Sequence, residues 1–210
     1  IASVRDLIPV ATILSSGATA TAAEFREKRV ILGTFIQETV GYQDKLFLTG
    51  ALRVDGSSTF GKDDRFQLFP KASVSYILSS EELWKEYFGS IINRLKLRLA
   101  WGQSGGQPAG TYDRFSVYVQ QSNSNRPGLV NSTLLGNQNL KPERMTEFEV
   151  GADFGMFDDR ISVEATYYVK RVKDLLLQRT LPPSTGFSGI LDNVGELRNR
   201  GFELLVKGVV

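Results

Sequence analysis

The sequence predicts an all-β protein, a piece of a transmembrane antiparallel β-barrel with long extracellular loops on one rim and short periplasmic turns on the other. Three observations predict it. First, stretches of about ten residues place an apolar side chain at every second position, and a period of two puts each set on one face of a strand. Leu46, Leu48, Gly50, Leu52 and Val54 alternate with Phe47, Thr49, Ala51, Arg53 and Asp55. The pattern returns in Leu95, Leu97, Leu99 and Trp101, set between Arg94, Lys96 and Arg98, and in Phe148, Val150, Ala152 and Phe154, set between Glu147, Glu149 and Asp153. Ile161, Val163, Ala165, Tyr167 and Val169 repeat it. Second, these stretches match the roughly 9–11 residues a tilted strand needs to cross a bilayer, whereas globular strands run about 5–6. Third, short and long connections alternate along the chain, which places them on opposite rims.

The elements follow in order. Residues 1–28, with Ser15, Ser16, Gly17 and an Ala/Thr stretch, read as a loop preceding the wall, with room for a short helix near 22–28. Residues 29–210 are the wall. Arg29 to Tyr42 is the first strand, and Tyr42 to Lys45 turns tightly into the second, Leu46 to Asp55. A polar loop over 56–67 leads to a third strand, Leu68 to Leu78, with Pro70 near its start. Ser79 and Glu82 have capping-box spacing, and Leu83, Trp84, Tyr87 and Phe88 recur at helical intervals, so 80–88 is a short amphipathic helix at the membrane surface or the rim. The fourth strand, Arg94 to Gln103, opens a long Gly/Asn/Gln/Ser-rich loop over 104–141 with a hairpin arm at 114–120. The fifth strand, Met145 to Met156, turns at Asp158 and Asp159 into the sixth, Ile161 to Lys173; a loop over 180–197 precedes the seventh, from Phe202. About seven strands are thus a part of a larger barrel.

Composition removes other classes. The 210 residues contain no cysteine and no histidine, so neither disulfides nor histidine chemistry is available. With 25 basic and 23 acidic residues the net charge is +2, which calls for no nucleic-acid partner. The most apolar run, Ile8 to Leu14, is broken by Pro9 and Thr12 and is far short of a membrane-spanning helix. The chain begins at Ile1 without a signal segment and its last strand runs into Val210, so it reads as an internal piece whose edge needs a neighbour.

Candidate sites were weighed against plainer roles. Gly102-Gln103-Ser104-Gly105-Gly106 fits the hydrolase-elbow pattern, but that chemistry needs a base and the chain has no histidine. It reads as a flexible exit from a strand. Asp63 with Asp64 and Asp158 with Asp159 lack calcium-loop spacing and read as turn formers. No catalytic residue, metal ligand or cofactor is expected. Arg94, Lys96 and Arg98 on one strand and Glu147, Glu149 and Asp153 on the next form a lumen-facing ionic ladder, with Arg98 meeting Glu147 or Glu149 and Arg94 meeting Asp153. Trp101, Tyr76, Tyr42, Tyr167 and Phe154 read as a membrane girdle toward strand ends. Tyr112, Phe115 and Tyr118, in the long polar loop, are the candidate substrate-stacking aromatics, set against simple packing of the loop's own arm.

The phrase Asp55, Gly56, Ser57, Ser58, Thr59, Phe60, Gly61, followed by Phe69, Pro70, Lys71, Ala72 and Ser73, resembles the SusC/RagA family of TonB-dependent outer-membrane transporters. Later phrases keep the family's order: Asn139-Leu140-Lys141-Pro142-Glu143, Leu181-Pro182 with Thr185-Gly186-Phe187, and Asn193-Val194-Gly195 with Asn199-Arg200-Gly201-Phe202. Two phrases depart from the family's pattern: Pro142-Glu143 stands where the family usually has Trp-Glu and follows the wording of TonB-dependent receptors more broadly, and Ser104-Gly105-Gly106-Gln107 replaces its Gly-Asn phrase after the fourth strand. The resemblance covers residues 29–208 and corresponds to the later part of the barrel, without the plug domain or the final strand. It implies a Gram-negative, Bacteroidetes-like outer membrane and import of an oligosaccharide or oligopeptide nutrient. It further implies outer-membrane lipids as surroundings, a SusD-like surface lipoprotein that binds substrate, and the TonB energy-coupling complex. The alternative is a soluble or surface β-sandwich used for adhesion, in which Leu95, Leu97 and Leu99 are buried against a second sheet. An outer-membrane enzyme using carboxylates is a third reading.

Overall fold

The computed structural model describes residues 2–7, 17–22, 26–123 and 126–209. Strands β1 (Ala2–Leu7) and β2 (Gly17–Ala22) pair antiparallel with each other, Ala2 opposite Ala22 and Leu7 opposite Gly17, in a sheet separate from the wall. The sequence reading of 1–28 as loop gave no strands here. Thr19, Thr21 and Val4 are β-branched and favour extended backbone, which the Ala/Thr composition concealed. Ser15 and Ser16 lie outside the described residues, as do 23–25 of the expected helix, and 26–28 are not helical.

The wall follows: β3 (Ile31–Tyr42), β4 (Leu46–Ser57), β5 (Phe66–Ile77), a 3-10 turn (Leu78–Ser80), α1 (Glu82–Tyr87) and β6 (Arg94–Gly106). Three short strands, β7 (Tyr118–Asn123), β8 (Arg126–Asn131) and β9 (Leu134–Leu135), occupy the long loop. Then come β10 (Glu143–Met156), β11 (Ile161–Thr180) and β12 (Gly189–Gly208). Seven long strands lie side by side in the order β3-β4-β5-β6-β10-β11-β12, all antiparallel, and β9 adds to the start of β12 in parallel.

The register aligns the alternation of separate strands into continuous rows. Val40, Leu48, Val74, Leu99, Val150, Tyr167 and Phe202 stand opposite one another across all seven strands. One residue along, on the other face, the row reads Thr39, Thr49, Ser73, Ala100, Glu149, Tyr168 and Gly201. A slip of one residue in any strand would bring these faces together, so the alternation excludes odd shifts of register. Among the described residues none covers the apolar face: Leu48, Leu99 and Phe202 are 49%, 41% and 66% exposed. The alternation is not perfect, since Glu38 and Arg200 end the next row on that same face, Gly50, Ala72, Trp101, Phe148 and Val169 lying between them.

The short rim is made by local chemistry. Gln43 and Asp44 both have positive φ (52° and 53°), the twist a two-residue hairpin demands, and the Lys45 N–H donates to the Tyr42 carbonyl at 3.1 Å. Phe157, Asp158 and Asp159 also take positive φ between β10 and β11. The helix between β5 and β6 is shorter than 80–88 and does not use the expected capping box. Its N-cap is Glu81, with no side-chain cap bond, because the Glu81 carboxylate is taken by the Tyr76 hydroxyl at 2.8 Å and by Lys45 at 3.2 Å.

Three other expectations change. The arm placed at 114–120 is a hairpin formed by β7 and β8, Tyr118 opposite Asn131. The loop expected over 180–197 shrinks to 181–188, because β11 and β12 are each 20 residues long. A bulge between Val172 and Leu176, with Asp174 at φ 55°, breaks the alternation and hid this extension. At roughly 3.3 Å per residue these strands are far longer than a bilayer crossing requires. Finally, Gly102 to Gly106, read as a flexible exit from the strand, continues β6 in extended form.

Candidate functional site

Two features can meet a solute: the polar face of the wall and the long-loop rim. On the polar face, Arg98 lies directly opposite Gly151, and its guanidinium passes over that glycine to Asp153 at 2.7 Å and to the Thr166 hydroxyl at 3.3 Å. A Cβ on Gly151 would come within 3.0 Å of Arg98 Nη2, so the glycine makes the crossing possible. The ladder read from sequence had the right strands and the wrong partners. Arg98 meets neither acid: Glu149, opposite Ala100, lies on the other diagonal from Asp153, and Glu147, opposite Gly102, lies two residues further off. Arg94, opposite Gly155, pairs with Asp159 at 3.2 Å rather than with Asp153. Lys96 stands opposite Asp153. Glu147 pairs across β10 and β11 with Lys170 at 3.8 Å. Lys207 and Glu164 add another pair at 3.5 Å. A shallow cavity of about 240 Å³ opens where Lys71, Gly102, Glu147 and Glu149 surround small residues.

The rim holds most of the buried side chains. Phe60, Leu140, Ser57, Thr59 and Thr111 are all at most 5% exposed, while the wall beneath stays open. The Asp55 to Gly61 phrase explains why. Asp55 accepts from Arg53 Nε at 2.7 Å, Gly56 closes β4 against Phe66, and Ser57 and Thr59 share a hydroxyl contact of 2.7 Å. Ser57 also meets Gln107 of the long loop at 3.1 Å, and the Ser58 hydroxyl accepts from the Val30 N–H at 3.0 Å. Phe60 then turns its ring inward and its carbonyl toward Arg114, which donates at 2.7 Å. Gly61 lies near the Gln138 carbonyl.

The long loop is fastened at its other end by Asn193 of β12. Its side chain accepts from the Lys141 N–H and donates to the Lys141 carbonyl, both at 2.9 Å, and donates to the Asp174 carbonyl at 2.7 Å. An amide group thereby imitates a neighbouring strand. Asn137 donates to the Leu191 carbonyl at 3.0 Å, and Glu143 accepts the Leu176 N–H at 2.8 Å. Arg29 holds the near end through the Ala109 carbonyl at 2.8 Å, and Thr111 donates to Glu27. The sequence reading did not single out Arg114, Asn137 or Asn193 as side chains that act. The signal was present in Asn193-Val194-Gly195 and Asn139 to Glu143, two separate phrases that meet in space.

The wall splits just below this rim. The β5–β6 ladder ends at Lys71 opposite Gly102, beside Pro70, which has no N–H to offer. Phe69 fills the opening, occupying the space a side chain at Gly105 would need, and Arg144 bridges Gln103 at 3.1 Å and Gln67 at 3.0 Å.

Among the described residues the candidate aromatics make no ring contact with one another. Tyr112 accepts the Lys28 N–H at 3.3 Å, the Arg114 guanidinium sits 4.4 Å over the Phe115 ring, and Tyr118 starts the β7–β8 arm. All three are exposed. Of the girdle aromatics, Tyr42 and Tyr76 lie in the row of Leu97 near the short rim, and Phe154 lies opposite Leu95. Tyr167 and Trp101 stand one and two rows further in, since their strands extend beyond the expected ends.

The family described as TonB dependent receptor-like, beta-barrel matches residues 7–209. TonB-dependent receptor P26 of Formosa agariphila is 36% identical over 168 residues, covering 77% of this chain and 16% of that protein. TonB-dependent receptor SusC of Bacteroides thetaiotaomicron is 30% identical over 171 residues, covering 78% of this chain and 17% of that protein. The solved RagAB peptide importer in its closed-closed state superposes with a TM-score of 0.81 at 25% identity, covering 95% of this chain and 22% of that one.

Proposed function

Since the chain belongs to the TonB-dependent receptor β-barrel family, we propose that it serves as part of the wall of an outer-membrane transporter that imports an oligosaccharide or oligopeptide nutrient. The observation that carries this reading is the pair of opposed rows: an uncovered apolar face across seven strands, backed by a face of hydroxyls and paired charges. Lipid is the one surrounding that rewards the first, and a water-filled or plug-filled lumen suits the second. In an adhesion sandwich Leu97 and Leu99 would be covered; each is 41% exposed. Leu95 is 6% exposed and stands apart, at the short rim.

The wall contributes passage rather than chemistry. Ionic pairs such as Arg98 with Asp153 keep the lumen side charged yet internally balanced, so that cargo and plug meet a wet surface. The fastened rim holds Tyr112, Phe115 and Tyr118 outward, where aromatic faces can stack on sugar rings or peptide side chains. A SusD-like lipoprotein covers that rim, and the TonB complex draws on a plug carried elsewhere in the whole protein; likeness to SusC and to the RagAB importer supports both partners.

The test follows labelled oligosaccharide and oligopeptide pools in cells making the full-length protein. Accumulation of one pool that requires the proton-motive force, and that is lost on deleting the gene, supports the reading. Equal accumulation of both pools with and without the gene overturns it.

A further inference from the structure

Among the described residues the connection between β5 and β6 is the largest structure on the short rim, and none of them covers its apolar side. We propose that α1 and the residues after it form an interfacial anchor, seating Leu83, Tyr87, Phe88 and Ile91 in the phospholipid headgroup region of the periplasmic leaflet. The proposal rests on the lipid-facing reading of the wall and goes beyond it.

Two observations place the connection on the lipid side. Tyr76 belongs to the apolar row of Leu46 and Leu97, and its hydroxyl donates to Glu81 at 2.8 Å, so the residue that opens α1 hangs from the outward face. Leu95, on that same face, is only 6% exposed, and the Leu78–Ser80 turn packs against its strand. The chain therefore leaves the sheet across the apolar surface and not across the lumen.

What it then presents suits a bilayer boundary. Leu83 and Tyr87, one helical turn apart, are 72% and 70% exposed, and Phe88 and Ile91 are 53% and 57% exposed. Glu82, Lys85 and Glu86 alternate with them, giving the mixed aromatic, aliphatic and charged surface that settles at headgroup depth. The patch is also held in place. Trp84 donates to the Ile92 carbonyl at 3.0 Å and its ring lies 4.9 Å from that of Phe88 at a tilt of 34°, and the Ile91 carbonyl accepts the Phe157 N–H at 3.1 Å. Continuity with the lipid-facing rows, through Tyr42 and Tyr76, selects lipid as the occupant.

The test places single nitroxide labels in the full-length protein, in phosphatidylcholine vesicles containing phosphatidylglycerol, by the substitutions Leu83→Cys, Glu86→Cys and Leu99→Cys. Tyr87→Cys repeats the reading should the first variant fold poorly. Oxygen access at 83 within about twofold of that at 99, with nickel-chelate access about fivefold below that at 86, is the expected result for a seated face. Chelate access at 83 equal to that at 86 overturns the anchor, and so does shielding of 83 from both reagents, which would mean a protein cover. If 99 also lacks oxygen access, the wall reading fails; if only 83 does, the anchor alone fails.

Discussion

Arg98 reaches Asp153 diagonally, across Gly151, at 2.7 Å, while the residue directly opposite Asp153 is Lys96. The guanidinium donates from both Nε and Nη2 to the same Asp153 Oδ1, and takes this diagonal because a glycine clears it. Both partners are partly exposed, 35% and 24%, so the pair contributes about 1 kcal/mol or less after solvent screening. In the full-length protein refolded into vesicles, Asp153→Ala should lower urea stability by that amount. Gly151→Val should cost more, and combining the two should give less than the sum, because each removes the same contact.

Asn193 carries a larger share of local order than its position near the rim suggests. Asn193→Ala removes three hydrogen bonds to the Lys141 and Asp174 backbones, and water replaces part of them. The expected loss is about 1–2 kcal/mol of local opening energy. Hydrogen exchange checks it: amides near 140–143 should exchange faster while those of β6 around Leu99 stay protected.

The two faces differ sharply in what they accept. Leu99→Arg places a charge on the lipid side and should cost about 2–4 kcal/mol near the bilayer midplane. Ala100→Arg, one residue along on the polar face, should cost far less. Outer-membrane insertion yield and urea midpoints of the two variants measure the contrast.

Below about pH 4.5 the short rim should weaken. The Tyr76 hydroxyl and the Lys45 ammonium bonded to Glu81 hold its carboxyl below the ordinary value of 4.5. A depressed folded value means the stabilisation is fully present above about pH 4.5 and is lost as pH falls through the lowered value. Glu81→Gln should flatten the pH dependence of rim stability in that window, read as hydrogen exchange of residues 78–88.

The wall was legible because period-two alternation is a local signal that register merely lines up. Leu97 and Leu99 announce their face in the sequence alone. Partners were not legible, since Glu149 and Asp153 both lie two residues from Gly151, the residue opposite Arg98, and the alternation does not state which diagonal the guanidinium takes. The rim was harder still. Asn193 and Lys141 are 52 residues apart, and nothing local to either states that an amide side chain will stand in for a strand. The long β11–β12 ribbon was hidden by its own bulge, where Leu175, Leu176 and Leu177 interrupt the alternation. The capping box at Ser79 failed for the opposite reason: a good local motif lost to Tyr76 at the end of β5 and Lys45 in the β3–β4 turn, which both reach Glu81.

The most direct measurement is nitroxide accessibility at positions 96 to 99 of the full-length protein in bilayers. A lipid-facing wall gives high oxygen access at 97 and 99 and aqueous quencher access at 96 and 98, with 95 shielded by the chain's own rim. Shielding of 97 and 99 from both reagents, or aqueous access at all four, would contradict the barrel wall.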